Sequence, residues 1–145
     1  MTDHVDPHRL VRLRGCHPEL KARVTALVAT LSERGLDLVL TQGVRSRAQQ
    51  QALYAQGRTK PGKVVTNCDG VVKVSTHQPR ADRYGYAVDV AWRRQDGTIT
   101  WEGPWETLGV VAESLGLRWG GRWTGFPDRP HLELPPSSVP TAGNA

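Results

Sequence analysis

Two short segments contain the residue types of a hydrolytic metal site. One holds His77 and Asp89, and the other holds Asp128 and His131, which are three residues apart. A catalytic zinc ion takes three protein ligands and leaves a fourth position to water, and two histidines with one carboxylate supply that number. We therefore predict that His77, Asp89 and His131 bind Zn²⁺. Asp128 is the predicted general base, because its position close to the last ligand would let it reach the attacking water.

Each of these residues has a simpler interpretation when it is taken alone. A single histidine or aspartate is far more often a core or surface residue than a ligand, and Asp128 could instead cap a loop beside Pro127 and Pro130. The neighbouring residues strengthen the metal-site prediction. The first segment runs from Ser75-Thr76-His77 to Gly85-Tyr86-Ala87-Val88-Asp89, and the second begins with Trp119-Gly120-Gly121.

These segments resemble the zinc peptidases of peptidoglycan, the family that includes phage L-alanyl-D-glutamate endolysins and D-Ala-D-Ala dipeptidases and carboxypeptidases. The family pattern is Ser-x-His, then Gly-x-Ala-x-Asp, then Trp-Gly-Gly followed by an acid, two residues and a histidine. The resemblance runs from about Leu10 to Leu134. It includes the segments Gly43-Val44-Arg45-Ser46, Gln50, Leu53-Tyr54-Ala55-Gln56-Gly57-Arg58 and Gly116-Leu117-Arg118.

The chain departs from the family pattern between its first two ligands. The segment from His77 to Gly85 is longer than in the compact form of the motif. We interpret Pro79-Arg80-Ala81-Asp82-Arg83 as a loop insertion that leaves both ligands in place. Asp82 then becomes the alternative third ligand.

The resemblance implies metal-assisted hydrolysis of an amide bond in peptidoglycan. Arg45 is the candidate clamp for a substrate carboxylate, since a guanidinium binds a carboxylate through two parallel hydrogen bonds; the alternative is a surface ion pair. Ser75 is expected to orient a ligand or the substrate. Among five tryptophans, most of which we expect in the core, Trp123 is the one expected to line the substrate groove.

The residues alone do not determine which peptidoglycan bond is cleaved. Both the L-Ala-D-Glu bond and the D-Ala-D-Ala bond place a free carboxylate beside the leaving amine, so Arg45 fits either. We favour an L-alanyl-D-glutamate endopeptidase of the endolysin type. The alternatives are a D-Ala-D-Ala carboxypeptidase and a non-enzymatic, zinc-bearing module that binds the cell wall.

The composition indicates one small domain. The chain has 145 residues, of which 38% are hydrophobic and 23% are charged, as in soluble globular proteins. We expect a catalytic domain over residues 1–135 and a flexible tail over 136–145. The N-terminus lacks a basic region followed by an apolar one, and no apolar stretch is long enough to span a membrane. We therefore expect the protein in the host cytoplasm until another protein, a holin in the case of phages, releases it to the cell wall.

The net charge of +5 favours an anionic partner. The basic residues are scattered and lack the spacing of a helix-turn-helix or a zinc finger, so we expect no nucleic-acid partner. The predicted partner is bacterial peptidoglycan, which is rich in carboxylates, and we expect a monomer without membrane insertion. Two cysteines, Cys16 and Cys68, are too few for a disulfide scaffold and are expected to be free thiols.

Apolar spacing predicts an α+β fold, with a central, mostly antiparallel sheet flanked by helices and the zinc site on the sheet. Helices are predicted at residues 18–34, 48–56 and 104–115. Residues 59–73 are predicted to form a long loop with a turn at residues 67–70. Strands are predicted at residues 36–40, 86–92, 98–101, 117–119 and 131–134, so that His131 begins a strand beside the one that carries Asp89.

Overall fold

The computed structural model describes residues 12–135, so the predicted tail at 136–145 lies outside the described residues. Its five strands form one sheet in the order β1-β2-β5-β4, with β3 paired to β2. All pairs in this sheet are antiparallel, which confirms the predicted α+β fold with an antiparallel sheet. The elements are α1 (Pro18–Glu33), β1 (Leu38–Gln42), α2 (Arg47–Ala55), β2 (Ala87–Arg93), β3 (Ile99–Thr100), α3 (Trp105–Ser114), β4 (Arg118–Trp119), a 3₁₀ turn (Gly120–Arg122) and β5 (His131–Glu133).

The two helices α1 and α3 pack on each other and enclose the hydrophobic core against the sheet. Helix α1 begins at Pro18, where the ring nitrogen of His17 accepts a hydrogen bond from the amide of Glu19. It ends before Gly35, whose φ of +76° suits a helix terminus. Every third or fourth residue of α1 is buried, so one face of this helix is committed to the core.

The alternation of side chains along β2 and β5 creates a second, chemically different face. Val88 and Val90 of β2 and Leu132 of β5 belong to the core. Because successive residues of a strand point to opposite faces, Asp89, His131 and Glu133 lie on the other side of the sheet. The sheet therefore carries its polar residues on the face away from α1 and α3.

The predicted elements are all present, with ends shifted by one or two residues. Strand β1 begins at Leu38 rather than Leu36 and contains an irregularity in register between Leu40 and Gln42. The 3₁₀ turn at Gly120–Arg122 was not predicted. No helix among residues 12–135 has the length and apolar character needed to cross a membrane.

Candidate active site

The polar face of the sheet brings three potential metal ligands together. Asp89 of β2 and His131 of β5 are directly opposite each other in the antiparallel register, and His77 lies in the turn that precedes β2. One ligand atom from each residue lies within 4.8 Å of the other two. Asp89 Oδ1 is 3.3 Å from His77 Nε2 and 3.7 Å from His131 Nδ1. The fold thus assembles the predicted histidine and aspartate ligands into one possible metal site on the sheet.

The hydrogen bonding of His77 prepares its ring for a cation. Its Nδ1 lies 2.9 Å from the carbonyl oxygen of Gly43, which can only accept, so Nδ1 carries the proton and Nε2 presents a lone pair. Within residues 12–135, His77 Nε2 and Asp89 Oδ1 are both buried without a hydrogen-bond partner. Buried polar atoms without partners are costly and rare. A cation between these two atoms would satisfy both, so the residues fit a metal ion.

His131 is oriented by Glu133, a residue that the sequence analysis missed. The Nε2 of His131 donates to Glu133 Oε1 at 2.7 Å, and both side chains are buried. Glu133 also accepts from Thr76 Oγ1 at 3.3 Å and lies 3.5 Å from Arg118 Nη1. This bond leaves the Nδ1 of His131 free to face Asp89. A carboxylate behind a ligating histidine is the usual arrangement that fixes the tautomer and the ring orientation.

The electrostatics of the cluster favour a positive charge at its centre. Burial disfavours the charged form of His131, but the nearby carboxylate of Asp89 and the hydrogen bond to Glu133 prevail and raise its pKa to about 9. Burial likewise opposes the charge on Asp89, but the neighbouring imidazoles of His131 and His77 hold the pKa of this carboxyl well below its usual range. Either a proton on the His131 imidazole or a bound cation would balance the negative charge of the surrounding carboxylates.

Arg45 contacts the candidate ligand Asp89 through Oδ2, whereas the two histidines lie nearest to Oδ1. Its Nη2 donates to Asp89 Oδ2 at 2.8 Å, and its Nη1 donates to Gln50 Oε1 at 3.1 Å. Only 12% of the Arg45 side chain and 18% of the Asp89 side chain are exposed, so this ion pair is largely shielded from solvent and is not a surface contact. Gln50 is fully buried and donates to the carbonyl of Cys68 and to Thr66 Oγ1. Gln50 therefore ties α2 and the loop at residues 66–68 to the arginine beside the ligand.

Asp128 lies in the same cavity as His77 and His131. Its amide donates to the carbonyl of Gly120 at 2.8 Å, and its own carbonyl accepts from the amide of His131. A Cβ at position 120 would collide with the carbonyl oxygen of Asp128, so the close approach of these two segments requires glycine there. Burial, and then the negative charge of Asp89, raise the pKa of Asp128.

Two cavities meet at this centre. The first has a volume of about 370 Å³ and contains His77, His131, Trp123 and Lys73 in its wall. The second has a volume of about 460 Å³ and reaches from Asp89 to Trp101. Arg45, Val65, Thr66 and Asp128 line both cavities. A substrate that occupied both would therefore pass directly over Arg45 and Asp128.

Comparison with known proteins agrees with this geometry. A family model described as D-alanyl-D-alanine carboxypeptidase, of the peptidase M15 class, matches residues 70–134. The chain is 39% identical over 131 residues to peptidoglycan L-alanyl-D-glutamate endopeptidase CwlK of Bacillus subtilis (strain 168), covering 83% of this chain and 74% of that protein. The chain belongs to the peptidase M15 family. Enzymes of this family are metal-dependent, which agrees with the three assembled ligands.

Two further proteins extend the comparison. The chain is 25% identical over 138 residues to the L-alanyl-D-glutamate peptidase of Listeria phage A118, covering 92% of this chain but only 43% of the phage protein. The crystal structure of Serratia marcescens L-Ala D-Glu endopeptidase ChiX superposes with a TM-score of 0.64 at 24% identity, covering 94% of this chain and 93% of that one. At that identity the superposition shows a shared fold.

The remaining predicted site residues take distinct places in this M15 fold. Trp123 lines the first cavity, and its ring lies 4.8 Å from the ring of His131. Ser75 is buried and its Oγ accepts from the amide of His77 at 3.2 Å, so it contacts the backbone of a ligand. Asp82 accepts from Tyr86 Oη at 2.6 Å and lies outside the group of three ligands. The insertion therefore packs on the core through Tyr86, and His77 and Asp89 on either side of it remain in the group of possible metal ligands.

Proposed function

We propose that this chain is a zinc-dependent peptidoglycan endopeptidase that cleaves the L-Ala-D-Glu bond of the stem peptide. The observation that carries the proposal is the group formed by the buried His77 and His131 with the half-buried Asp89, in the same cavity region as Asp128. The 39% identity to a peptidoglycan L-alanyl-D-glutamate endopeptidase supports the choice of bond.

The donor set supports zinc among the metals that a peptidase uses. Two imidazole nitrogens and one carboxylate are the ligands of several catalytic zinc sites, whereas magnesium and calcium prefer oxygen donors alone. His77 Nε2, Asp89 Oδ1 and His131 Nδ1 would hold the ion. A bound zinc ion would lower the pKa of water and polarise the carbonyl of the scissile amide.

Asp128 is the residue that we propose moves the proton. Its carboxylate would accept a proton from the attacking water and deliver it to the nitrogen of the leaving amine. A raised pKa suits this exchange, because a group that gives back the proton must be able to hold it. The glycine contact at Gly120 and the backbone bond to His131 fix the Asp128 segment beside the ligands.

Arg45 is proposed to serve the substrate as well as the ligand. One N–H of each terminal nitrogen is committed, to Asp89 and to Gln50, which leaves one further N–H on each nitrogen. Because Arg45 lines both cavities, these donors would meet the α-carboxylate of D-Glu next to the scissile bond.

A phage endolysin is the biological role that we propose for this activity. The similarity to the peptidase of Listeria phage A118 supports it. The enzyme would then act as a monomer, stay in the host cytoplasm until its release, and finally degrade the wall in host lysis. The runner-up activity is that of a D-Ala-D-Ala carboxypeptidase, which the description of the matching family model favours.

A synthetic stem peptide tests the proposed chemistry. The purified protein should carry about one zinc ion per chain, cleave the L-Ala-D-Glu bond, lose activity with a chelator and regain it with zinc. His77→Ala should lose both the metal and the activity. Asp82→Ala is the matched control and should keep both, since Asp82 bonds to Tyr86 instead. Undiminished zinc in His77→Ala, or cleavage that ignores the chelator, would contradict the proposal.

A further inference from the structure

Trp101 is an exposed tryptophan in the wall of the second cavity. Its side chain is 56% exposed, whereas Trp92, Trp105 and Trp119 are at most 6% exposed. The cavity that it borders also contains Asp89 and Asp128 of the candidate active site. Packing in the hydrophobic core does not account for this exposed indole. It lines a cavity that also borders the candidate active site.

The backbone around Trp101 is held in place. Its carbonyl oxygen accepts a hydrogen bond from Trp105 Nε1 at 2.8 Å. The preceding residue, Thr100, pairs with Trp92 of the central strand, and its hydroxyl accepts from the amide of Glu102 at 3.1 Å. The exposed ring therefore projects from a rigid support, so little ordering is needed for it to receive a ligand.

The two cavities differ in charge. The first is lined by Lys73 as well as Arg45, and of its carboxylates, Asp128 and Glu133, the latter is already paired with His131 and Arg118, so Lys73 can receive a carboxylate of the substrate. Within the described chain, Arg45 is the one cation that lines the second cavity, and its guanidinium already pairs with Asp89. Besides Asp89 and Asp128 at the candidate active site, the polar wall consists of hydroxyl and amide side chains, namely Thr41, Gln42, Gln56 and Thr66. Such a wall suits a neutral ligand rich in hydroxyl and amide groups.

We infer that the second cavity is a subsite for the amino sugar that precedes the stem peptide, with Trp101 as its stacking platform. The inference rests on the proposed function. In peptidoglycan the L-Ala nitrogen is acylated by the lactyl group of N-acetylmuramic acid, on the opposite side of the L-Ala-D-Glu bond from the acidic residues. With the scissile bond at the junction of the cavities, the acidic half faces Lys73 and the sugar reaches Trp101. The aromatic face and the hydroxyl and amide groups match a sugar ring with its N-acetyl group.

Two matched substrates test the subsite through activity. One is the bare stem peptide, and the other is the same peptide with N-acetylmuramic acid on its L-Ala. The parent enzyme should prefer the second substrate in kcat/KM, and Trp101→Ala should reduce this preference by roughly tenfold. Trp101→Phe, which keeps an aromatic face, should retain most of it. Ile99→Ala is the control. Ile99 is also exposed and lies two residues before Trp101, but it lines neither cavity, so this variant should keep the preference of the parent enzyme. An unaltered preference in Trp101→Ala would overturn the inference.

A binding measurement separates this inference from the proposed function. N-acetylmuramoyl-L-alanine, added to the zinc-free protein, should shift the indole N–H signal of Trp101, identified in a ¹H-¹⁵N spectrum by its loss in Trp101→Phe. If the parent enzyme cleaves neither substrate while this signal shifts, the peptidase proposal fails and the sugar subsite stands. If it cleaves both substrates and the Trp101 signal does not move, the subsite is wrong and the peptidase proposal stands.

Discussion

Replacing Glu133 with alanine removes the acceptor that holds the proton on His131 Nε2. The bond is short, at 2.7 Å, and buried, and its acceptor is a carboxylate. A hydrogen bond to a charged group contributes about 1.5 to 3 kcal/mol. Since each 1.4 kcal/mol corresponds to about tenfold in a dissociation constant, zinc should bind roughly ten- to a hundredfold more weakly. Partners behind metal ligands typically have effects of this size.

The dissociation constant for zinc can be measured by equilibrium competition with a chromophoric chelator. Glu133→Gln keeps an oxygen that can accept the hydrogen bond from His131, so this variant should lose clearly less zinc affinity than Glu133→Ala. Glu106→Ala is the control, because Glu106 is a 69% exposed surface carboxylate that pairs with Arg122. A folded Glu133→Ala protein that binds zinc as tightly as the parent would refute the role assigned to Glu133.

Three further predictions address the base, the clamp and the insertion. Asp128→Asn should keep its zinc and its fold but lose about a hundredfold or more in kcat; turnover close to that of the parent would place the base elsewhere. A stem peptide with D-isoglutamine in place of D-Glu lacks the carboxylate proposed to meet Arg45 and should be cleaved roughly thirtyfold less efficiently, whereas equal kcat/KM values would remove the clamp. Tyr86→Phe should lower the free energy of unfolding at neutral pH by about 1 to 2 kcal/mol, because it deletes the hydrogen bond to Asp82. Burial and that bond raise the pKa of Tyr86 to about 12. Tyr86 therefore contributes fully to the free energy of unfolding below pH ~10, and this contribution is lost as the pH rises through 12. Denaturant titrations across this range should show that the free energy of unfolding falls more steeply with pH in the parent than in Tyr86→Phe.

The fold and the grouping of His77, Asp89 and His131 were predictable because their signals are local. The apolar residues of α1 recur at helical spacing. Along a strand such as β2, successive side chains point to opposite faces of the sheet, so the position of a residue in the sequence determines the face on which it lies. The short motifs around His77 and Asp89 indicated the ligands before any contact was known. The expectation that His131 lies beside the strand of Asp89 is confirmed by their direct pairing across β2 and β5.

The remaining features depend on contacts between distant parts of the chain. Glu133 follows His131 by two residues in a strand, and this spacing alone could have placed the two side chains on one face. The double contact of Arg45 with Asp89 and Gln50 joins three separate segments, so no local pattern predicts it. The exposure of Trp101 contradicts the expectation that a tryptophan outside the groove lies in the core. Trp101 instead lines the second cavity, whose wall is assembled from distant segments of the chain.

Digestion of purified bacterial sacculi, with the products identified by mass spectrometry, tests the central proposal most directly. The new termini name the bond that was cut. The account predicts fragments that begin with D-Glu and glycan strands that still carry a single L-Ala, and predicts that neither forms with His77→Ala. Release of D-Ala with the L-Ala-D-Glu bond intact would contradict the endopeptidase assignment and support the carboxypeptidase instead.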